Sequence, residues 1–63
     1  MSMIQVNSSA IAAIGYANGV LAVTFHRTGT YYHPGVPYAV FAAFLRAGSK
    51  GMFYNCFIRG RYR

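Results

Sequence analysis

The chain has 63 residues and a net charge of +6, and it contains neither aspartate nor glutamate. Without these carboxylates, the composition excludes two-carboxylate glycosidases, aspartic proteases, Ser-His-Asp hydrolases and carboxylate-bound Mg²⁺ or Ca²⁺ sites. It also excludes salt bridges between side chains, so the basic groups are available to an anionic partner. We therefore expect a non-enzymatic binding module whose partner is nucleic acid or an acidic protein.

The size and the apolar content predict one small domain, residues 1–63. A chain this short buries only about 60% of the surface that its unfolded form exposes, so the stability margin is thin. Hydrophobic residues make up 56% of the sequence, which predicts a dense core, a second buried surface or both, and makes a homodimer possible. No apolar run is long enough to span a bilayer, and Met1-Ser2-Met3 lacks the basic region of a signal peptide. We expect a cytoplasmic protein with no membrane attachment.

The first half of the chain predicts an antiparallel sheet. Residues 1–7 are expected to form a loose lead-in in which Ile4 and Val6 could make strand contacts, followed by a strand from Ala10 to Tyr16. Asn18-Gly19 is the strongest short hairpin signal available, because a type I′ turn needs positive φ at both central positions. The second strand, Val20 to His26, is rich in β-branched residues.

The turns predict the register of the sheet. A two-residue loop at Asn18-Gly19 pairs Ala17 with Val20. A three-residue loop at Arg27-Thr28-Gly29 then pairs His26 with Thr30 and Phe25 with Tyr31. The expected apolar face contains Ala12, Ile14, Tyr16, Leu21, Val23, Phe25 and Tyr31.

The other face of the predicted sheet is flat and almost uncharged. Tyr32 lies on it, although a two-residue second loop would exchange Tyr31 and Tyr32 between the faces. A solvated face normally carries charges, so this face is a candidate for cover by a second copy or a partner. Its other members are Ala13, Gly15, Val20, Ala22, Thr24 and Thr30.

Helices follow the sheet. Pro37 suits the first position of a helix from Tyr38 to Ala47, with Gly48 as its C-cap. Ser49 caps a second short helix, Lys50 to Ile58. The residues expected to cover the sheet are Val40, Phe41, Phe44 and Leu45. Those expected to dock beside the first helix are Phe53, Phe57 and Ile58. The predicted fold class is α+β, a three-stranded antiparallel β-meander followed by two short α-helices packed on one face.

Basic residues are concentrated near the C-terminus. Residues 59–63 are expected to form a basic arm, either extended with alternate arginines on one side, or folded into a turn at Gly60. Arginine pairs with phosphate and stacks on planar rings, and tyrosine stacks on the bases of single-stranded nucleic acid. The alternative is a solvated tail that keeps an apolar protein soluble. The candidate binding residues are Arg59, Arg61, Arg63, Tyr62, Lys50, Tyr32 and Arg27.

Three further residue types have structural interpretations. Cys56 lies in the second predicted helix, where a cysteine is expected to be a small buried hydrophobe. His26 and His33 are expected on opposite faces, and no metal site or cofactor is predicted. Among the tyrosines, we expect Tyr16, Tyr31 and Tyr38 in or at the rim of the core, and Tyr32 and Tyr62 to be exposed.

The sequence also resembles a known family from about Val6 to Arg63. The residues that carry the resemblance are Ser8-Ser9, Ile11, Ile14, Tyr16, Leu21-x-Val23-x-Phe25, Gly29 before a tyrosine pair, Val36-Pro37 and Ser49-x-Gly51-x-Phe53-Tyr54-Asn55-x-x-Ile58-Arg59-x-x-Tyr62. They resemble the KTSC domain, found in small bacterial and phage proteins and at the C-terminus of some lysyl-tRNA synthetases. The family's central Tyr-x-Tyr falls on Tyr31-Tyr32-His33, so His33 replaces the second aromatic residue.

The resemblance implies an RNA-binding role and carries no catalytic residue. We therefore expect binding of RNA or single-stranded DNA through the C-terminal arginines and tyrosine. The alternative is a protein-interaction module, such as a phage-type adaptor or inhibitor that docks on an acidic host protein.

Overall fold

The computed structural model describes residues 2–62 as a four-stranded antiparallel sheet covered on one face by helices. The strands β1 (Met3–Gln5), β2 (Ile11–Ala17), β3 (Val20–Phe25) and β4 (Gly29–His33) are adjacent in that order. The helices are α1 (Tyr38–Arg46) and α2 (Lys50–Phe53), which continues directly into a π-helix, Tyr54–Ile58. The α+β class is as predicted, with four strands instead of three. No helix within residues 2–62 has the length and apolar character needed to cross a membrane.

The additional strand lies in the predicted lead-in. β1 pairs with β2, so that Met3 is opposite Gly15 and Ile4 is opposite Ile14. All three residues of β1 are exposed. Three residues are too few to show the alternating pattern by which a strand is recognised in sequence. The prediction of a loose segment over residues 1–7 was therefore wrong for Met3–Gln5, where pairing with β2 orders the chain.

The first hairpin has the predicted turn and register. Asn18 and Gly19 have φ values of 53° and 78°, and Ala17 pairs with Val20. Farther from the turn, the register shifts between Ile11 and Ala13. This bulge brings Ile11 into the core, fully buried, at the place where Ala12 was predicted.

The second hairpin has a three-residue loop, but its position differs from the prediction. Phe25 pairs with Gly29 and Val23 pairs with Tyr31. The predicted pairs of His26 with Thr30 and of Phe25 with Tyr31 are therefore wrong by two residues. Because side chains alternate with a period of two, this shift leaves Tyr31 on the apolar face and Tyr32 on the other.

The core lies between the sheet and the helices. Tyr16 closes one side of it, because its hydroxyl donates a 2.6 Å hydrogen bond to the carbonyl oxygen of Val36. Phe44 stacks on Phe53 with ring centroids 5.1 Å apart, which joins α1 to α2. The buried core residues are Ile11, Ile14, Leu21, Val23, Val36, Phe41, Phe44 and Ile58.

Side chains and backbone groups at the helix ends orient the C-terminal segment. Pro37, predicted as the first helical residue, is the N-cap of α1, and the C-cap is Ala47, one residue before the predicted Gly48. The Lys50 ammonium donates a 2.6 Å hydrogen bond to the carbonyl oxygen of Ala47. Ser49 caps α2 as predicted, because its hydroxyl accepts a 3.3 Å hydrogen bond from the Met52 N–H. This arrangement starts the second helical region directly after the first.

Candidate functional site

The second helical region changes its hydrogen bonding at Tyr54. The N–H of Arg59 donates to the Tyr54 carbonyl oxygen at 2.8 Å, five residues back in the chain. Short π-helical segments are rare in proteins, and a large share of those that are found lie at functional sites. Here the π-helix turns Ile58 into the core, fully buried, while Phe57 is half exposed.

A buried histidine fixes this segment to the sheet. His33 Nδ1 lies 3.1 Å from the Tyr62 carbonyl oxygen, and Nε2 lies 3.0 Å from the Tyr54 hydroxyl. A carbonyl oxygen can only accept, so Nδ1 carries a proton and donates it, and in the tautomer that is protonated at Nδ1 alone Nε2 accepts from the Tyr54 O–H. His33 is the one buried polar residue within residues 2–62. Its ring therefore connects β4 to the π-helix and is not available for stacking on a ligand.

A cleft of about 480 Å³ opens between the β3–β4 turn and the π-helix. We call it the aromatic cleft. Its volume is within the range of roughly 300–1,000 Å³ that small-ligand sites occupy. Its lining residues are Ala10, Phe25, Thr28, Tyr31, Gly51, Tyr54, Asn55 and Arg59.

Three aromatic rings form the wall of the cleft. Phe25 meets Tyr31 edge to face at a centroid distance of 5.6 Å, and meets Tyr54 edge to face at 5.0 Å. Edge-to-face pairs at these distances are favourable beyond the area that they bury. Tyr31 is still 47% exposed, so part of its ring is held in place and open to a ligand.

Asn55 and Arg59 add an amide and a cation to the hydroxyls of the cleft, and both residues are exposed. Burial raises the pKa of the Tyr54 hydroxyl above its usual 10.0, and the positive charge of Arg59 opposes this rise. Tyr54 is therefore neutral at pH 7. Among the described residues that line the cleft, Arg59 is the one charged side chain. The cleft combines one cation, one amide and an aromatic wall, which suits a planar ligand that carries a negative charge.

The structure separates the predicted arginines. Gly60 has a φ of 78°, and the Arg61 N–H donates to the Ile58 carbonyl oxygen at 3.0 Å, so residues 59–61 form a turn, not an extended arm. Arg59 lines the aromatic cleft, whereas Arg61 lines a different hollow beside α1. Arg63 lies outside the described residues.

The other predicted binding residues have four different positions. Lys50 caps α1, as described above. Tyr32 is 62% exposed and lies opposite Ala22 on the sheet face that the helices do not cover. Arg27 is exposed in the β3–β4 turn, next to Thr28 of the cleft. Tyr62, predicted to be exposed, is partly buried against the core.

The solvent exposure of Cys56 and Tyr38 differs from what the sequence predicted. Cys56 is exposed and is not the buried hydrophobe that was predicted. Tyr38, expected in or at the rim of the core, is 64% exposed although its ring contacts Tyr16. Sequence reasoning also left Tyr31 and Asn55 out of the site. Asn55 belongs to the C-terminal motif, which is the signal that could have identified it.

The fold defines the chain as a small α+β domain in which an antiparallel meander packs against C-terminal helices. The model of the KTSC domain family matches residues 7–62, and the chain belongs to this family. A protein of Tsukamurella paurometabola is 43% identical over 63 residues, which cover 97% of this chain and 94% of that protein. The crystal structure of a KTSC domain protein from Yersinia pestis is 38% identical, with a TM-score of 0.96 over 98% of this chain and 90% of that chain.

Proposed function

We propose that this protein is a small module that binds RNA or single-stranded DNA in the aromatic cleft. The observation that carries the proposal is that Arg59 and Tyr31, which are far apart in sequence, line the same cleft. The chain has no acidic side chain to neutralise Arg59. The RNA-binding role that the family resemblance implies points in the same direction.

In this proposal each polar or aromatic group has one task. A base stacks on the exposed part of Tyr31, while Arg59 pairs with the adjacent phosphate. The Asn55 amide, which has both donors and an acceptor, bonds to an edge of the base. Phe25 holds the Tyr31 and Tyr54 rings in position, so little ordering is needed when the ligand binds.

The shape of the cleft favours a single strand over a duplex. Bases in a duplex are stacked and paired, so a base cannot enter a side-chain pocket without leaving the stack. An unpaired base can be splayed out and stacked on a tyrosine. Arg27, beside Thr28 in the β3–β4 turn, extends the basic rim along which the backbone would run.

The experiment compares single-residue variants in fluorescence titrations with labelled single-stranded RNA and DNA. Tyr31→Ala should weaken binding by about 1–3 kcal/mol, the usual value of one base stacked on an aromatic ring. The matched control is Tyr38→Ala, because Tyr38 is also exposed and lies on α1 outside the cleft. An equal loss in both variants, or no binding by the unmodified protein at low salt, would reject the proposal.

The same titrations test whether the positive charge of Arg59 contributes to binding. Arg59→Ala should weaken binding to all sequences alike and flatten the salt dependence by about 0.7 for each single-strand phosphate contact that is lost. Arg46→Ala removes the same charge at the end of α1 and is the matched control. It should have the smaller effect on both the affinity and the salt slope.

A further inference from the structure

A second concave surface lies between α1 and the C-terminal helical segment. It consists of a hollow of about 390 Å³ that reaches Arg61 and an adjoining hollow of about 210 Å³ beside Met52. Phe53 and Phe57 line both hollows. The two hollows therefore form one continuous feature, which we call the helical groove.

The walls of the helical groove are apolar and exposed. Met52 is 67% exposed and Phe57 is 50% exposed. The Phe53 and Phe57 rings lie 4.8 Å apart, and Phe53 is fixed from below by its stacking on Phe44. Contiguous exposed apolar surface of this kind marks interaction sites in small proteins.

The opposite wall is formed by Val40 and a row of alanines. Ala39 and Ala43 line the larger hollow, and Ala47 lines the smaller one. Residues four apart lie above one another on a helix, so the three form a row along α1 and its C-cap. Small side chains in such a row allow a second backbone to approach closely. The groove therefore has space for a helix that inserts larger side chains into the two hollows.

A cation lines this apolar surface, and helix geometry indicates that a second lies near it. Arg61 lines the larger hollow. Arg46 is seven residues after Ala39, or almost two helical turns, and so lies on the same side of α1 as the alanine row. A second copy of the chain would bring a charge of +6 and no acidic side chain against these arginines. The charges therefore disfavour a second copy as the occupant and favour an acidic one.

We propose that the helical groove binds an acidic amphipathic helix of another protein. Apolar side chains spaced three or four residues apart enter the two hollows, and aspartates or glutamates beside them pair with Arg46 and Arg61. A membrane surface fits less well, because a concave groove accepts protruding side chains and does not insert into lipid. The inference does not depend on the aromatic cleft, since Arg59 serves the cleft and Arg61 serves the groove.

The test is a selection from a display library of helical peptides with randomised faces, using the complete protein as the target. Selected peptides should contain two or more large apolar residues at helical spacing, flanked by aspartate or glutamate. The dissociation constant of a selected peptide is then measured by fluorescence anisotropy. Selection of peptides without acidic residues, or failure to select any, would overturn the proposal.

Variants locate the binding site. Phe57→Ala removes one wall of the groove, and Ala43→Leu fills the larger hollow with a residue that still favours a helix. Each variant should weaken peptide binding at least about tenfold, as expected for a residue at the centre of an interface. Arg61→Ala should weaken it as well, whereas the control Arg59→Ala should leave it unchanged. Equal affinity in the groove variants would overturn the proposal. Two other results would also overturn it if no acidic peptide binds. One is self-association that the groove variants abolish, and the other is binding to phosphatidylglycerol vesicles that the same variants abolish.

Competition separates this site from the aromatic cleft. A single-stranded oligonucleotide should not displace the selected peptide, because the two ligands use different lining residues. Displacement that persists at raised salt would contradict two separate sites. If no oligonucleotide binds at all, the nucleic-acid proposal fails. The peptide titrations then still test whether the helical groove binds an acidic helix.

Discussion

The Tyr54 hydroxyl donates a hydrogen bond to Nε2 of His33 across 3.0 Å. The other nitrogen of the same ring donates to the Tyr62 carbonyl oxygen. One imidazole thus connects β4, the π-helix and the turn that separates Arg59 from Arg61. Tyr54 lines the aromatic cleft and Tyr62 lines the larger hollow of the helical groove, so each proposed binding surface contains a residue bonded to this ring.

Removing the Tyr54 hydroxyl should therefore destabilise the fold. Tyr54→Phe keeps the ring but leaves His33 Nε2 buried without a donor, which costs about 1–3 kcal/mol. Urea unfolding followed by circular dichroism measures the change. Tyr38→Phe is the control, because Tyr38 is 64% exposed and its hydroxyl can be solvated in both states. Equal stability of the two variants would show that the hydrogen bond between Tyr54 and His33 does not contribute to the free energy of unfolding.

The same hydroxyl predicts a pH dependence. Burial raises the pKa of Tyr54 in the folded chain above its usual 10.0, so the neutral phenol contributes stability that is fully present below pH 10. This contribution is lost as the pH rises through the raised pKa of the folded state. Absorbance titration of tyrosinate should show a late ionisation step above pH 10, and Tyr54→Phe should remove that step. A titration curve that keeps this late step in the variant would assign it to another tyrosine.

Gly19→Val should destabilise the first hairpin through the backbone alone. Gly19 has a φ of 78°, which a β-branched residue resists, while no atom lies within 4 Å of an added Cβ. The expected loss is on the order of 1 kcal/mol or more in the free energy of unfolding. Gly48→Ala is the matched control, because its added Cβ also meets open space and its φ is not in the left-handed region. An unchanged melting midpoint for Gly19→Val would contradict the assigned turn.

Cys56 should react with a thiol reagent in the folded protein. It is exposed, so alkylation should proceed without unfolding, and Cys56→Ala should change stability by less than about 0.5 kcal/mol. Mass spectrometry after brief treatment with iodoacetamide measures the modified fraction. Protection comparable to that of a core residue would restore the interpretation drawn from the sequence.

The hairpin and the helices could be predicted from the sequence because local chemistry specifies them. Asn18-Gly19 requires one turn type, and Ser49 precedes a helix whose first turn needs a cap. The bounds and the partner of strand β1 could not be predicted, because Met3–Gln5 is ordered by pairing with a strand eight or more residues away. The bulge at Ala12 likewise arises from burying Ile11 and Ile14 together, which no local pattern shows.

The candidate site was predictable only in part. The C-terminal motif contains Asn55 and Arg59, and both line the aromatic cleft. Alternation then suggested that Arg59 and Arg61 act together, but the turn at Gly60 places them at separate hollows. The turn pattern predicted Phe25 and Tyr31 on one face of the sheet, and their rings do meet. That the π-helix brings Tyr54 and Arg59 beside them depends on tertiary packing, which sequence spacing cannot reveal.

The most direct test of the central claim is a nuclear magnetic resonance titration of the ¹⁵N-labelled protein with a single-stranded oligonucleotide. Binding in the aromatic cleft predicts that the amide signals of Thr28, Tyr31, Asn55 and Arg59 shift together and saturate with one affinity. The signals of Met52 and Phe57, in the helical groove, should remain in place. Shifts confined to the groove or to the sheet face around Tyr32, or no shifts at low salt, would contradict the account.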